Sequence, residues 1–435
     1  LPVLISVTDG ISVISDSFII NVQPINDPPE ITSTPSYDIY VNELFEYNIE
    51  IYDPDNNEFS FLLDNAPEGM NIENNLVTWI PHSTGLFGPI TILVTEIDSA
   101  EPQTGTQEFY LDIRLAQNFS LHTGNNLISY LGILEDNSIE NMFASLSNNI
   151  SQILTENYAA VQLEDGSWIG SLDYIEPTKG YWIRLDFESE YGLATYQTPM
   201  EQIYSLHLGQ NLISYIGPDN IGLDDMLPDD IELEFTDIIS ENVSAMRNED
   251  GEWVGSLAQI GWQQLLGYWV FVSNDIDFSF EYDEGQLSRV SDNLIAKYNI
   301  HNIPNDFRYN QSQSQSFYYF KDVKIKGESI TDSDWIIAYN NNIVVGAREW
   351  SGSYTDVPAM GYDGHDETIA YAENNSNIEF KVFQKSTGRL IEMEGNIPTW
   401  RNQTNILVDE LNDRLVLPTE FSLSHPYPNP FNPTV

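Results

Sequence analysis

The stretch FSLHTGNNLISYLG, Phe119–Gly132, returns 85 residues later as YSLHLGQNLISYIG, Tyr204–Gly217. Two further blocks return in the same order. LEDGSWIGSLDYI (Leu163–Ile175) matches NEDGEWVGSLAQI (Asn248–Ile260), and KGYWIRL (Lys179–Leu185) matches LGYWVFV (Leu266–Val272). Three ordered matches define an internal duplication, with one copy over 118–202 and the second over 203–290. Within each copy, short runs of alternating apolar and polar residues are separated by Asn, Asp and Gly clusters, the pattern of half-buried strands joined by turns. Helical periodicity is confined to short segments, Ser138–Ile150 in the first copy and Leu223–Asp230 in the second. The duplicated unit therefore reads as a small β-rich domain with short helices.

Working outward, the same strand pattern continues on both sides. Upstream, SFIINVQ, ITILVTEID and EFYLDIR alternate with period two. PINDPPEIT (Pro24–Thr32) interrupts them, because paired prolines fix φ and remove ladder donors. This places the tail of one module at 1–24 and a second module at 25–115. Downstream, 293–415 reads as a further β-sandwich. In it DWIIAYNNNIVVGAREW predicts a hairpin turning at Asn340–Asn342. The Gln/Ser run Gln311–Ser316 reads as an exposed loop or sheet edge. A stiff, proline-dense segment, 417–435, follows. The chain as a whole reads as mainly β, a series of sandwiches plus the duplicated domain.

Charge narrows the partners. Of 435 residues, 16 are Lys or Arg and 67 are Asp or Glu, a net charge of −51. Such a surface repels nucleic acid and anionic lipid, and suits a medium where cations screen carboxylates. No cysteine is present, which removes disulfides, thiol chemistry and Cys-based zinc sites. No apolar run is long enough to span a bilayer as a helix. LPVLISVTDG at the start reads as the middle of a strand, so the chain is read as a fragment, cut at both ends.

Two resemblances sharpen this. YDPDNNEFSFLLDNAPEGMNIENNLVTWIP (Tyr52–Pro81), GPITILVTEIDS (Gly88–Ser99) and the ND-x-P linker at Asn26–Pro29 resemble the bacterial immunoglobulin-like and cadherin-like tandem modules. The likeness covers roughly Ser6–Arg114 and implies an immunoglobulin-like sandwich. The ending, LPTEFSLSHPYPNPFNPTV (Leu417–Val435), resembles the opening of the C-terminal sorting domain of type IX secretion substrates. Phe421, Leu423, Tyr427, Pro428, Asn429, Pro430, Phe431, Asn432 and Pro433 carry it. It implies export by the type IX secretion machinery to the outside, or to the outer-membrane surface, of a Gram-negative bacterium. The duplicated module looks like one recurring in large secreted proteins with this terminus.

Candidate sites follow. In an immunoglobulin-like module the entering chain and two interstrand loops share one pole. Here they bring Asn26 and Asp27, then Asp53, Asp55 and Asn57, then Glu96 and Asp98. Clustered carboxylates repel, and a hard cation with six to eight oxygen ligands relieves that repulsion, so calcium is the expected ion. Strand alternation sets Tyr181 and Ile183 on one face and Trp182 and Arg184 on the other. Trp182 and its equivalent Trp269 are the candidate ligand-stacking rings, for a surface glycan or protein, although rings at such positions are more often packing residues. His122 and His207 read as structural hydrogen-bonding residues, and DGHDE (Asp363–Glu367) as an exposed acidic turn. No nucleophile elbow, zinc-protease helix or phosphate loop occurs. The sequence thus points to a secreted or surface structural or adhesive protein, non-catalytic in this chain. The alternative is a set of accessory modules for a hydrolase whose catalytic domain lies upstream.

Overall fold

A computed structural model describes residues 1–21, 25–97, 100–281 and 303–414. Asp98, the 417–435 segment and with it the sorting motif Phe421–Pro433 lie outside the described residues. The fold is mainly β, arranged in several sheets with a few short helices. Two compact units are present. One comprises Leu1–Ala116 with Ala194–Gln197, and the other Gln117–Leu193 with Thr198–Val435.

The first unit opens with the hairpin Pro2–Thr8/Val13–Ile19. The rest is the expected sandwich. Phe59–Asp64, Gly85–Glu96 and the strand Thr104–Leu121 form one sheet, and Phe45–Asn48, Leu76–Trp79 and Asn71–Glu73 form another. Alternation dictates the packing. Ile90, Ile92 and Val94 turn inward and meet Phe45, Val77, Trp79, Leu111 and Ile113 in one core. The next inward position in that alternation is Glu96, which is why a carboxylate ends up buried at the pole. Residues 194–197, read from sequence as part of the first repeat copy, belong to this unit. Tyr196 Oη donates to Asp112 at 2.7 Å, and the Arg114 guanidinium lies 3.9 Å from the Tyr196 ring centroid.

In the second unit each repeat copy builds one five-stranded antiparallel sheet. The strand order is Gly124–Ile128, Tyr181–Leu185, Ile150–Thr155, Tyr158–Gln162, Trp168–Gly170 in the first copy. In the second it is Gly209–Ile213, Tyr268–Val272, Phe235–Ser240, Val243–Arg247, Trp253–Val254. One face of each sheet covers an aromatic-rich core: Phe119, Tyr130, Phe143, Tyr181 and Tyr191 in the first, and Tyr204, Tyr215, Phe235, Trp262 and Tyr268 in the second. The predicted helical segments are short, Ile139–Met142 and a 3₁₀ turn at Ala144–Leu146 in one copy and a 3₁₀ turn at Asp224–Met226 in the other.

The terminal domain, described from 303 to 414, is an eight-stranded sheet curled around its own core. Gln315–Ile325 pairs antiparallel with Thr355–Met360 and parallel with Thr404–Asp413. The predicted hairpin is present as Trp335–Asn340 and Ile343–Glu349, and Asn341 and Asn342 take the positive φ its turn needs. One expectation is corrected. Gln311, Ser312, Gln315 and Ser316 are buried, not exposed. Several of their polar groups find partners that a sequence does not reveal, although Gln311 Oε1 is buried without one: Gln311 Nε2 donates to Gln315 Oε1, Ser312 Oγ to the Gly361 carbonyl, and Gln315 Nε2 to the Ser240 carbonyl of the second repeat.

Candidate functional site

The acidic pole of the first unit gathers most of the residues named from sequence. Asp53 Oδ1 accepts from the backbone N–H of Asp55 (2.8 Å) and Asn56 (2.9 Å), fixing the loop as an Asx turn. Asp55 Oδ2 accepts from the Asp27 N–H at 3.1 Å. Glu96 is 3% exposed. Its Oε2 accepts from Asn26 Nδ2 at 2.6 Å and from the Gln103 N–H at 3.1 Å. Two oxygens in this cluster, Glu96 Oε1 and Asp53 Oδ2, are buried with no hydrogen-bond partner.

The loop also brings in residues the sequence reading passed over. Asn56, not Asn57, reaches Asn26, with Nδ2 donating to Oδ1 at 3.1 Å, while Asn57 is exposed. Gln103 bonds to the Asn26 carbonyl. Asn57 lost to Asn56 because the Asx turn decides which of two adjacent asparagines faces inward. Among the described residues, no group of three or more His, Asp or Glu side chains is gathered so as to hold a metal ion by itself. Amides from Asn26 and Gln103 share the pole with the carboxylates.

The second unit holds a reciprocal clasp between the repeats. His122 Nε2 donates to Glu241 Oε1 at 2.6 Å, and Glu241 Oε2 accepts from the Leu127 N–H at 2.8 Å. The equivalent residues repeat this with the copies exchanged. His207 Nε2 donates to Glu156 Oε1 at 2.6 Å, and Glu156 Oε2 accepts from the Leu212 N–H at 3.3 Å. The glycines of the two GYW blocks serve the same junction. A Cβ on Gly180 would lie 2.9 Å from the Ile213 carbonyl oxygen, and one on Gly267 2.8 Å from the Ile128 carbonyl oxygen. Each repeat thus grips its twin as the halves of a two-fold dimer grip each other.

The tryptophans belong to this junction. Parity is as read: Trp182 and Arg184 share the outer face of their sheet, opposite Tyr181 and Ile183. Trp182 is nonetheless 3% exposed, packed with Leu127, Leu212, Leu154 and Trp269. Trp269 is half-buried and also meets the terminal domain. The stacking role given to Trp182 and Trp269 is therefore corrected to packing: the second repeat covers the ring face that a free sheet would show.

A cavity of ≈820 Å³ lies beside the first clasp, with His122, Glu188, Glu190, Glu241, Asn242 and Gln311 in its wall. Burial works against the charged imidazolium of His122. The charge and hydrogen bond of Glu241 and the Thr123 carbonyl outweigh it, raising His122 to about 9. Its Nδ1 donates to the Thr123 carbonyl at 2.8 Å. Both ring nitrogens are thus engaged, so His122 offers neither an available base nor an available proton. His207 is also raised, by its bond to the Leu208 carbonyl and then by Glu156. In DGHDE, Asp363 accepts from Asn125 Nδ2 at 2.9 Å and Glu367 pairs with Arg184. That turn is a contact onto the first repeat, which single-chain patterning could not show.

No protein-family model matches the chain, and no curated protein matches it.

Proposed function

We propose that the chain is a non-catalytic structural or adhesive segment of a protein exported by type IX secretion, working outside the cell or on its outer membrane. Its modules space and display, and calcium stiffens the first of them. The export part rests on the resemblance of 417–435 to a sorting domain. The structural part rests on how the second unit is held. Reciprocal clasps and a buried polar network tie the two repeats and the terminal domain together, as a rigid spacer requires.

The calcium part is carried by one observation: Glu96 Oε1 and Asp53 Oδ2 are buried without partners at the same pole. Unpartnered buried carboxylate oxygens are costly. The donor set is all oxygen, carboxylate and amide, which suits a hard divalent ion. Glu96 and Asp53, which carry the unpartnered oxygens, with the amide oxygen of Asn26 are the residues that would hold it. Its chemistry there is charge neutralisation and cross-linking of loop to entering chain.

Calcium at ten times its dissociation constant is expected to stabilise the module by about 1.4 kcal/mol. For a domain of this size that is a rise of roughly 5–10 °C in midpoint. Differential scanning calorimetry of the whole chain, with calcium and then with chelator, reads this as one transition moving while the others stay. The Glu96→Gln variant should abolish the shift. A first-unit transition that ignores calcium would sink the metal reading.

A further inference from the structure

The two clasps are equivalent in sequence, yet their surroundings differ in kind at one position. Lys179 opens the block KGYWIRL, and its counterpart in LGYWVFV is Leu266. At the second clasp the Lys179 ammonium lies close enough to His207 to act against its protonation. At the first clasp Leu266 shares the wall of the ≈820 Å³ cavity with His122 and Glu241. The chain therefore brings an ammonium of its own to one clasp, and an apolar side chain to the same place at the other.

The acids differ in the same sense. The offset that carries Lys179 onto Leu266 carries Glu188 onto Asp275. Asp275 is committed, its Oδ1 accepting from the Leu208 N–H at 2.7 Å. Glu188, in the cavity wall, has no hydrogen-bond or ion-pair partner among the described residues. Glu190 spends one oxygen on the Ser120 hydroxyl, at 2.8 Å, and Glu188 and Glu190 fall on one side of the chain by alternation. Gln311, in the same wall, is 8% exposed, and its Oε1 has no partner. His122 and Glu241 neutralise each other. The wall thus holds a surplus of acceptors and negative charge, next to the apolar surface of Leu265 and Leu266.

The complementary ligand carries positive charge, N–H donors and an apolar stem. A bare metal ion is the poorer match, since among the described residues no three His, Asp or Glu side chains are gathered to hold one. The cavity volume falls within the usual range for small-molecule sites, about 300–1,000 Å³.

We propose that this cavity binds a primary alkylammonium, with the ammonium at Glu188 and Glu190, the aliphatic stem against Leu265 and Leu266, and a second N–H of the ligand directed to Gln311. Free polyamines and the lysine side chains of peptides share this chemistry.

Isothermal titration calorimetry of the whole chain tests it at about 0.15 M NaCl, where the general pull of an acidic surface on cations is screened. The probes are cadaverine, lysine blocked at both backbone ends, and norleucine blocked likewise. The two cations should bind at one site and norleucine should not. Tighter binding of cadaverine identifies a free polyamine as the source, and tighter binding of blocked lysine identifies a peptide. Glu188→Gln with Glu190→Gln should weaken both cations about tenfold. Both acids are exposed, so folding is retained, and an unchanged melting midpoint verifies this. Glu328→Gln with Asp332→Asn removes two exposed carboxylates away from the cavity and should leave binding unchanged. Leu266→Lys should abolish it, because the first clasp then carries the ammonium that its twin already has. No binding of either cation, norleucine binding as tightly as lysine, equal losses in the two double variants, or binding that survives Leu266→Lys would each overturn the proposal.

Discussion

Replacing Arg348 by Met is expected to destabilise the second unit by about 3–5 kcal/mol, the cost of leaving a buried charge without its partner. Asp356 is 2% exposed and Arg348 5%. The guanidinium Nε donates to the Asp356 carbonyl at 2.8 Å, Nη2 donates to the Asn242 carbonyl at 2.6 Å, and Nη2 lies 3.7 Å from Asp356 Oδ2. The carboxylate also crosses to the second repeat. Its Oδ1 accepts from the Ser256 N–H at 2.9 Å, and its Oδ2 accepts from the hydroxyls of Ser256 and Ser244. Ser244 Oγ in turn lies 2.6 Å from Tyr319 Oη.

Burial raises the Asp356 pKa, and Arg348 opposes that rise. The sign follows. A carboxyl raised in the folded state favours folding at low pH, and that contribution is lost as pH rises through its folded value. Without Arg348 the loss is larger. The gap between variant and unmodified chain should therefore narrow on acidification and widen towards neutral pH. Urea unfolding across a pH series measures it, through the midpoint at constant slope. A cost below 1 kcal/mol at neutral pH would mean that this network does not hold the terminal domain to the repeat.

The double substitution Glu156→Ala with Glu241→Ala is expected to cost about 3–5 kcal/mol, because each leaves a backbone N–H and an imidazole without their acceptor. Single substitutions should cost about half each, since the two clasps are separate contacts. A pH signature accompanies the loss. The His122 pKa is raised to about 9 in the folded protein. Its contribution is then complete below the ordinary histidine value near 6.5 and disappears as pH rises through about 9. The His122 side chain is 32% exposed, so solvent screening limits this part to about 1–2 kcal/mol. Between pH 6.5 and 9 the unmodified chain should lose that much more stability than Glu241→Gln. Parallel pH profiles for the two proteins would remove the ion pair from the account.

How much of this was legible beforehand differs from residue to residue. The strands of each repeat and the parity of Tyr181, Trp182, Ile183 and Arg184 follow from alternation alone. The hairpin at Asn341 and Asn342 follows from turn chemistry. The pole was legible as a set of loops, down to Asp53, Asp55 and Glu96. Which asparagine faced inward was not legible, because one Asx turn separates Asn56 from Asn57. Neither the fate of Trp182 nor the burial of Gln311, Ser312, Gln315 and Ser316 was legible, since both depend on what another domain brings against them.

What the sequence determined by itself is the duplication, the β class, the absence of thiols and the excess of acid. These are local or additive properties, fixed by period, composition and count. What only the tertiary structure decided is pairing at a distance: Glu156 with His207, Glu241 with His122, and Asp356 with Ser256. Alternation tells a strand which residues share a face. It carries no information about what that face will meet, because the partner lies tens to hundreds of residues away and is selected by the packing of whole domains.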